Sequence, residues 1–181
     1  MGSSDERMLD VLGAEGPIVE HAAQLMLYGR FVGAWEGTVV VHRRDGTRRE
    51  ESCEVFFGWV LDGRAIQDVW IAPARRDRTD PGRDASRDIY GTTIRVYDPQ
   101  SDTWRIAWIE PGTQSFSGMT GRQDGDDILQ EYVEEDGDRW QWLFTEITGD
   151  SFHWIARESA DDGASWQVRN EFFLRRSGSA G

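Results

Sequence analysis

The stretch RWQWLFTEITGDSFHWIARES, at residues 139–159, decides the fold, because apolar and polar side chains alternate along it in two runs. In each run the even-numbered positions are mostly aromatic or aliphatic, and the odd-numbered positions are mostly polar. A period of two is typical of a strand that buries one face. The pair Gly149-Asp150 between the runs is a turn signal. The stretch is therefore predicted to form an antiparallel hairpin.

Alternating runs and turn residues continue through most of the chain after Phe31. Asp-Gly and Asp-Pro pairs separate most of the runs, and such pairs are typical of tight turns. Because the connections are short, the strands are expected to form an antiparallel meander. The ten predicted strands are 33–43, 50–61, 64–72, 89–97, 103–110, 114–121, 127–134, 139–147, 151–159 and 166–175.

The chain is predicted to form one domain, residues 17–176, with a short segment at each end. Residues 1–16 are polar and rich in Gly and are predicted to be disordered, and residues 177–181 are predicted to be a flexible tail. Residues 17–30 form the predicted helix, because Pro17 suits a first helical position and the apolar residues share one face. This helix leads directly into the first strand and is expected to close that end of the sheet.

The composition argues against several classes of partner. The chain has 181 residues, with 33 acidic and 20 basic side chains and a net charge of −13. Such a balance disfavours nucleic acid and anionic membrane surfaces, which attract basic patches. No apolar run approaches the length of a membrane span, and Met1–Asp10 shows no secretory signal. We therefore expect no nucleic-acid partner and no membrane association.

Two residue counts narrow the chemistry. Cys53 is the only cysteine, so no internal disulfide can form, which favours a cytoplasmic location. Every basic residue is arginine, and the absence of lysine excludes Schiff-base chemistry and a lysine-bearing phosphate loop. The three histidines, His21, His42 and His153, are scattered, and His153 is predicted to face outward. The sequence therefore predicts neither a metal site nor a haem or other cofactor.

A helix followed by Gly33-Ala34-Trp35 on the first strand, with Arg175-Arg176 ending the last strand, resembles the calycin pattern. In that pattern an arginine of the last strand covers the indole of the first. With Asp162-Gly163 and Trp166, the chain from 24 to 176 also resembles a bacterial family of lipocalin-like barrels that has no agreed activity. The resemblance implies an all-β fold, a closed barrel of about ten strands holding a small molecule. It implies no catalytic residue.

Alternation also predicts which side chains face the interior. In five strands the even-numbered positions form the inner face, and the strand directions collect many of them at one rim, away from the helix. The long connection 73–88, which is all charge, Pro and Gly, belongs to the same rim and is expected to be mobile or to act as a lid. The candidate ligand-binding residues are Trp70, Tyr90, Trp108, Trp140, Trp142, Trp154, Trp166 and Asn170.

Glu158 and Glu110 are the candidate catalytic residues, if the protein is an enzyme. The expected register places Glu158 between Trp140 and Trp166, and Glu110 beside Tyr90. Burial there would raise the pKa of each carboxyl and suit it to acid–base chemistry. The alternative is that both carboxylates, like Glu146 and Asp68, are wetted at the rim or paired with arginine.

Three functions remain open from the sequence. The first is binding of a small molecule, aromatic, hydrophobic or cationic, in a Trp-lined cavity without chemistry. The second is a cofactor-free cyclase or isomerase that uses the cavity carboxylates. The third is an interaction module or homodimer whose cavity is filled by its own side chains.

Overall fold

The computed structural model describes residues 4–79, 82 and 84–178, and one closed antiparallel sheet dominates them. Each strand from β2 to β11 pairs with the next along the chain, and β11 pairs with β2, so the predicted ten-strand barrel is confirmed. The strands are β1 (Gly13–Ala14), β2 (Gly33–His42), β3 (Arg48–Val60), β4 (Ala65–Ala72), β5 (Ile89–Asp98), β6 (Thr103–Glu110), β7 (Ser115–Asp124), β8 (Asp127–Val133), β9 (Arg139–Thr145), β10 (Ser151–Ser159) and β11 (Gln167–Arg176).

The helix that closes the barrel is shorter than predicted. A 3₁₀ turn over Val19–His21 leads into α2 (Ala22–Gly29), whose Leu25 and Tyr28 are buried in the barrel end. Ile18 has an extended backbone because its amide donates to the carbonyl of Gly63, which lies in the β3–β4 turn. None of the helices in the described part of the chain is long and apolar enough to cross a membrane.

The N-terminal segment differs from the predicted disorder over most of its length. Helix α1 (Ser4–Leu12) precedes β1, which pairs with the last residues of β3, Gly13 opposite Val60. The pairing is available because β3 extends past the start of β2, which leaves a short free edge. Residues 1–3, and residues 179–181 of the predicted tail, lie outside the described residues.

Trp35 and Arg176 fasten the closed end of the barrel, as the calycin-like pattern predicts. Trp35 is 1% exposed, and its indole nitrogen donates to the carbonyl of Phe31 at 2.6 Å. The guanidinium carbon of Arg176 lies 4.4 Å from the centre of the indole ring. Arg176 also donates to the carbonyls of Arg30 and Val32, at 2.7 and 2.9 Å. The last strand is thereby tied to the chain that joins α2 to β2.

The predicted inner face of β5 is wrong. The even-numbered positions were expected to face inward, but Thr93 lies opposite Trp108, and Tyr90 is 52% exposed on the outer face. The inward positions are Gly91, Thr93 and Arg95, which are not apolar. Gly91 is required because a Cβ there would lie 2.3 Å from the Trp108 ring. Hydrophobic alternation fails on this strand because its interior side carries a buried charge and a close ring contact.

A bulge changes the predicted register of β11. Ala156 pairs with Asn170 but Arg157 pairs with Val168, so β11 has one extra residue, Arg169, at this point. The bulge turns Trp166 to the outer face, where the Arg157 guanidinium lies 4.9 Å from its ring.

The expected pairing of Glu158 with Trp166 is therefore wrong, because Glu158 lies opposite Gln167. On the other side of β10 the predicted pairing of Glu158 with Trp140 is confirmed, and Ala156 lies opposite Trp142.

The described part of the 73–88 connection leaves the open rim and packs against the outer face of β3. Ala74 is buried, and its amide donates to the Ser52 hydroxyl at 3.1 Å. Arg75 forms an ion pair with Glu54. These contacts direct this part of the connection along the outer wall, so they do not give it the position of a lid.

Trp35→Ala should lower the free energy of unfolding by about 3–5 kcal/mol, because it leaves a large cavity under Arg176. Arg175→Ala is the matched control, since the Arg175 side chain is exposed and its loss should cost less than about 0.5 kcal/mol. Urea titration of both variants measures the difference. Equal stabilities would contradict the role given to the Trp35–Arg176 contact.

Candidate functional site

The open half of the barrel holds a cavity of about 560 Å³. It opens at the rim formed by the ends of β4, β6 and β8 and the starts of β5, β7 and β9, opposite α2. Its wall is largely aromatic, and a few polar side chains lie at its mouth and at its floor. The lining residues are Trp70, Ile89, Arg95, Trp108, Glu110, Thr113, Ser115, Tyr132, Glu134, Trp140, Trp142, Trp154, Ala156, Asn170 and Phe172.

The structure brings together six of the eight residues that the sequence proposes as ligand-binding. These six are Trp70, Trp108, Trp140, Trp142, Trp154 and Asn170. Tyr90 and Trp166 lie outside the barrel, for the reasons of register given above. Of the proposed catalytic pair, Glu110 lines the cavity and Glu158 does not.

Three functional candidates were missed from the sequence. Arg95 was assigned to the outer face of its strand, and Tyr132 and Glu134 belong to a strand whose alternation is ambiguous. A signal exists for Tyr132, because it lies directly opposite Trp140 on β9, whose inner face is clear. No comparable pattern identifies Arg95, since an arginine is normally placed on the solvent side.

The aromatic wall is built from rings that support one another. Trp154 contacts Trp70 and Trp142, with ring centres 5.1 and 5.2 Å apart, and Trp142 contacts Trp108 at 5.5 Å. Nearer the mouth the rings of Tyr132 and Trp140 are nearly parallel, at 6°. Packed indoles have few rotamers available, so the wall is largely preformed.

A buried ion pair forms the floor of the cavity. Arg95 and Asp68 are each 1% exposed and are joined through Arg95 Nη1 and Asp68 Oδ2. Asp68 also accepts from the Thr93 amide at 2.8 Å, and Arg95 Nε donates to Gln130 Oε1 at 3.3 Å. On the closed side, the guanidinium lies 4.8 Å from the centre of the Tyr28 ring. Burial raises the pKa of Tyr28, while Arg95 partly opposes that rise.

Carboxylates surround the mouth. Glu110 accepts from the Thr113 hydroxyl at 2.9 Å, and Glu134, which follows the end of β8, also lines the cavity. Partial burial, and then the carboxylates of Asp136 and Asp138, raise the pKa of Glu134. Within the described residues, no arginine lies within ion-pair distance of Glu110 or Glu134. The mouth therefore has an excess of negative charge.

Glu158 contradicts the expectation of a raised pKa. Burial by itself would raise the pKa, but hydrogen bonds and charge from Arg169 and Arg44 lower it below the ordinary value. Arg169 Nη2 donates to Glu158 Oε1, and Arg44 Nη2 donates to Glu158 Oε2 at 3.2 Å. A carboxylate held by two arginines is an anchor for the bulge in β11, and it is a poor proton donor near neutral pH.

The histidines and the remaining carboxylate lie away from the cavity. His42 and His153 flank Glu171 on the outer face, with ring nitrogens 2.7 and 3.3 Å from its oxygens. Glu146 is exposed at the end of β9. Over the described ranges, no group of three or more His, Cys, Asp or Glu residues is placed to hold a metal ion.

Comparison with known proteins supports the fold. No protein family matches the sequence, and no curated protein matches it. The S-type phycobiliprotein lyase CPES from Guillardia theta matches the structure with a TM-score of 0.55 and 13% identity, covering 91% of this chain and all of that one. Rv2717c from M. tuberculosis matches with a TM-score of 0.57 and 17% identity, covering 86% of this chain and 98% of that one. The protein therefore has a calycin-like barrel fold.

Glu158→Gln should lower the free energy of unfolding at neutral pH by about 1–3 kcal/mol, because Arg169 loses a partly buried charged partner. The deficit should shrink as the pH falls through the lowered pKa of Glu158, since the protonated wild type no longer pairs with either arginine. Urea titration over that pH range measures both effects. Arg44→Gln is the control, because Arg44 is 74% exposed and its pair should contribute less than about 1 kcal/mol. A Glu158→Gln variant as stable as wild type at neutral pH would contradict the anchoring role.

Proposed function

We propose that the protein binds a flat aromatic small molecule in the Trp-lined cavity, with a positively charged group of the ligand at the mouth. The observation that carries the proposal is the combination of a preformed indole wall with carboxylates that arginine leaves unpaired. The cavity volume, about 560 Å³, is in the ordinary range for small-molecule sites.

The wall favours an aromatic ligand because five indoles and a phenol line it. An aromatic ring gains contact area and ring–ring interactions there, and the ordered rings lose little freedom on binding. The nearly parallel rings of Tyr132 and Trp140 stand at the entrance, where they offer faces to an entering ring. Ring faces also attract cations, which adds to the effect of the carboxylates.

The mouth favours a cation because of the carboxylates that lie there. This local charge depends on which carboxylates are paired with arginine, and the net charge of the whole chain does not determine it. Asp68 and Glu158 are each paired with arginine, so they attract a ligand cation only weakly. Glu110 and Glu134 have no such partner among the described residues, and both line the cavity. A ligand cation near them would form the ion pair that the protein does not itself supply.

The structural neighbours support binding of some kind, without naming the ligand. One of them is a phycobiliprotein lyase, which suggests a linear tetrapyrrole as a second ligand class. Tetrapyrroles are flat and conjugated, which suits the indole wall. Those that carry acidic side chains would meet Glu110 and Glu134, so we rank them below cationic ligands.

A cofactor-free cyclase or isomerase is the second candidate function. Its proposed acid, Glu158, is held by two arginines with a lowered pKa, which disfavours the role. Glu134 suits it better, because it lines the cavity and its pKa is raised. Turnover that is lost in Glu134→Gln while the ligand still binds would favour this candidate over simple binding.

The cation preference can be measured with two small probes. Aminomethylnaphthalene should bind at least about 10-fold more tightly than naphthalene carboxylate, because each mouth carboxylate contributes up to about 1 kcal/mol of pairing and repels the anion. Isothermal calorimetry, checked by quenching of tryptophan fluorescence, gives both dissociation constants.

The matched variants locate the effect. The double variant Glu110→Gln, Glu134→Gln should reduce the preference to less than about 3-fold, whereas Glu135→Gln, which lies in the same loop outside the cavity lining, should keep it. Equal binding of the two probes to wild type, or binding of neither, would overturn the proposed function.

The affinity for aminomethylnaphthalene should fall in acid. The raised pKa of Glu134 means that this carboxyl is neutralised earlier than an ordinary glutamate as the pH decreases. As the pH falls through the raised pKa of Glu134, the affinity should drop by up to about 5-fold, the worth of one exposed ion pair. Glu134→Gln should bind more weakly at neutral pH and lose most of this dependence. An unchanged pH dependence in that variant would assign the titration to another group.

A further inference from the structure

The barrel wall is open between β7 and β8 near the rim that holds the cavity mouth. The pairing of these strands ends at Thr120 opposite Glu131, although β7 begins at Ser115 and β8 continues to Val133. In the described structure, residues 115–119 pair with β6 alone, and the last two residues of β8 pair with β9 alone. The hairpins β6–β7 and β8–β9 therefore remain intact but separate from each other towards the rim.

The separation leaves a groove of about 490 Å³ in the wall. Residues 116–118 form one side of the groove, and residues 132–136 form the other. Successive side chains of a strand point to opposite faces of the sheet, so Phe116 and Ser117 face opposite ways. Because both line the groove, it extends through the thickness of the wall and is more than a depression in its outer surface.

The groove adjoins the cavity at its mouth. Tyr132 and Glu134 line both spaces. Glu134 is also one of the two carboxylates to which the proposed function assigns the cationic group of the ligand. A chain that continues from that group along Glu134 therefore reaches the groove next.

The groove presents apolar and acidic surfaces together. Phe116 and Val133 are 74% and 57% exposed there, so they offer contact area to methylene groups. Glu135 and Asp136 line the groove beyond Glu134, and no arginine among the described residues lies within ion-pair distance of either. Their charge therefore remains available to a positively charged nitrogen. A chain of methylene groups that ends in an amine matches both surfaces.

We propose that the groove is a second subsite of the ligand site and binds an alkylammonium chain attached to the aromatic body. The inference rests on the proposed function and specifies its ligand further. The ligand would have a flat ring system in the cavity, one positively charged nitrogen beside Glu110 and Glu134, and a second at the end of a flexible chain beside Glu135 and Asp136. Such a molecule is an aromatic compound with a polyamine chain.

Three naphthalene probes separate the two contributions of the chain. Aminomethylnaphthalene has no chain, and its N-pentyl and N-(4-aminobutyl) derivatives have chains of equal length that end in a methyl group or an amine. The N-pentyl probe should bind about 3-fold more tightly than aminomethylnaphthalene, because its methylene groups contact Phe116 and Val133. The aminobutyl probe should bind about 5-fold more tightly again, the worth of one exposed ion pair. Isothermal calorimetry gives the three dissociation constants.

Two glycine variants locate the chain. Gly118 lines the groove, and Gly58 lies on the outer face of β3 between the buried residues Phe57 and Trp59. A Cβ at either glycine would meet no atom within 4 Å, so both strands can accept a side chain. Gly118→Phe should reduce the advantage of the aminobutyl probe over aminomethylnaphthalene from about 15-fold to less than about 3-fold, because the ring occupies the groove. Gly58→Phe should keep the full advantage.

Two double variants test the charge. Glu135→Gln with Asp136→Asn should bring the affinities of the aminobutyl and N-pentyl probes to within about 2-fold of each other. Asp124→Asn with Asp126→Asn makes the same change in net charge at the opposite end of β7 and β8, where both side chains are exposed, and should leave the difference intact. Circular dichroism and urea titration establish that every variant is folded.

The outcomes distinguish this inference from the proposed function. Equal binding of all three probes to the wild type, with the preference of aminomethylnaphthalene over naphthalene carboxylate retained, would overturn the groove subsite and leave the proposed function standing. A full advantage of the aminobutyl probe in Gly118→Phe, or its equal loss in the two double variants, would also overturn the subsite, because the chain would then bind elsewhere or respond only to net charge. Failure of every probe to bind would instead overturn the proposed function.

Discussion

The ion pair between Asp68 and Arg95 divides the barrel interior into two halves with different properties. On the closed side lie Tyr28, Phe57 and Phe144, whose ring centres are 4.8 to 5.8 Å from the guanidinium. On the other side the same guanidinium forms part of the cavity lining. A buried pair is costly unless its remaining hydrogen-bonding positions are satisfied, and the Thr93 amide and the Gln130 oxygen satisfy two of them. The closed half must exclude water for this arrangement to hold.

The exclusion of water from the closed half depends on the contacts that hold the closed end of the barrel together. Arg176 donates to three carbonyls, those of Arg30, Val32 and Gly149, and lies over the ring of Trp35. One side chain of the last strand thus ties together the turn before β10 and the chain that follows α2. Because Tyr28 of α2 packs against both Trp104 and Phe144, fixing the end of this helix also fixes the floor from below. The open half needs no such fastening and can keep a cavity.

Alternation and turn residues predicted the strands, and the resemblance to the calycin pattern implied the closed barrel and the packing of Trp35 under Arg175 or Arg176. The register of the β9–β10 hairpin was also predicted correctly, since its inner face is apolar except at Glu158 and its turn is short. The inner and outer faces of β5 were exchanged in the prediction because its true inner face carries Gly91, Thr93 and Arg95. A pattern of hydrophobicity cannot reveal that an arginine faces inward when its partner, Asp68, is 27 residues away. The bulge at Arg169 was missed for a related reason: it is stabilised by Glu158, and a long-range ion pair has no periodic signature.

The same failures shaped the prediction of the site. Most of the indoles were predicted correctly to face the interior because their strands alternate clearly. The charged groups were misassigned because ion pairing with arginine decides their roles, and hydrophobic alternation carries no information about ion pairs. Glu158 was expected to be a proton donor from its aromatic neighbours alone, but two arginines make it an anchor. Arginine thus removes Asp68 and Glu158 from the charges available to a ligand and leaves Glu110 and Glu134. In a chain with net charge −13, the position of the unpaired carboxylates, more than their number, sets the polarity of the cavity. The carboxylates of Glu110 and Glu134 lie at the mouth, and the charge of Arg95 at the floor is neutralised by Asp68, so the mouth is the part of the cavity that would favour a cationic group.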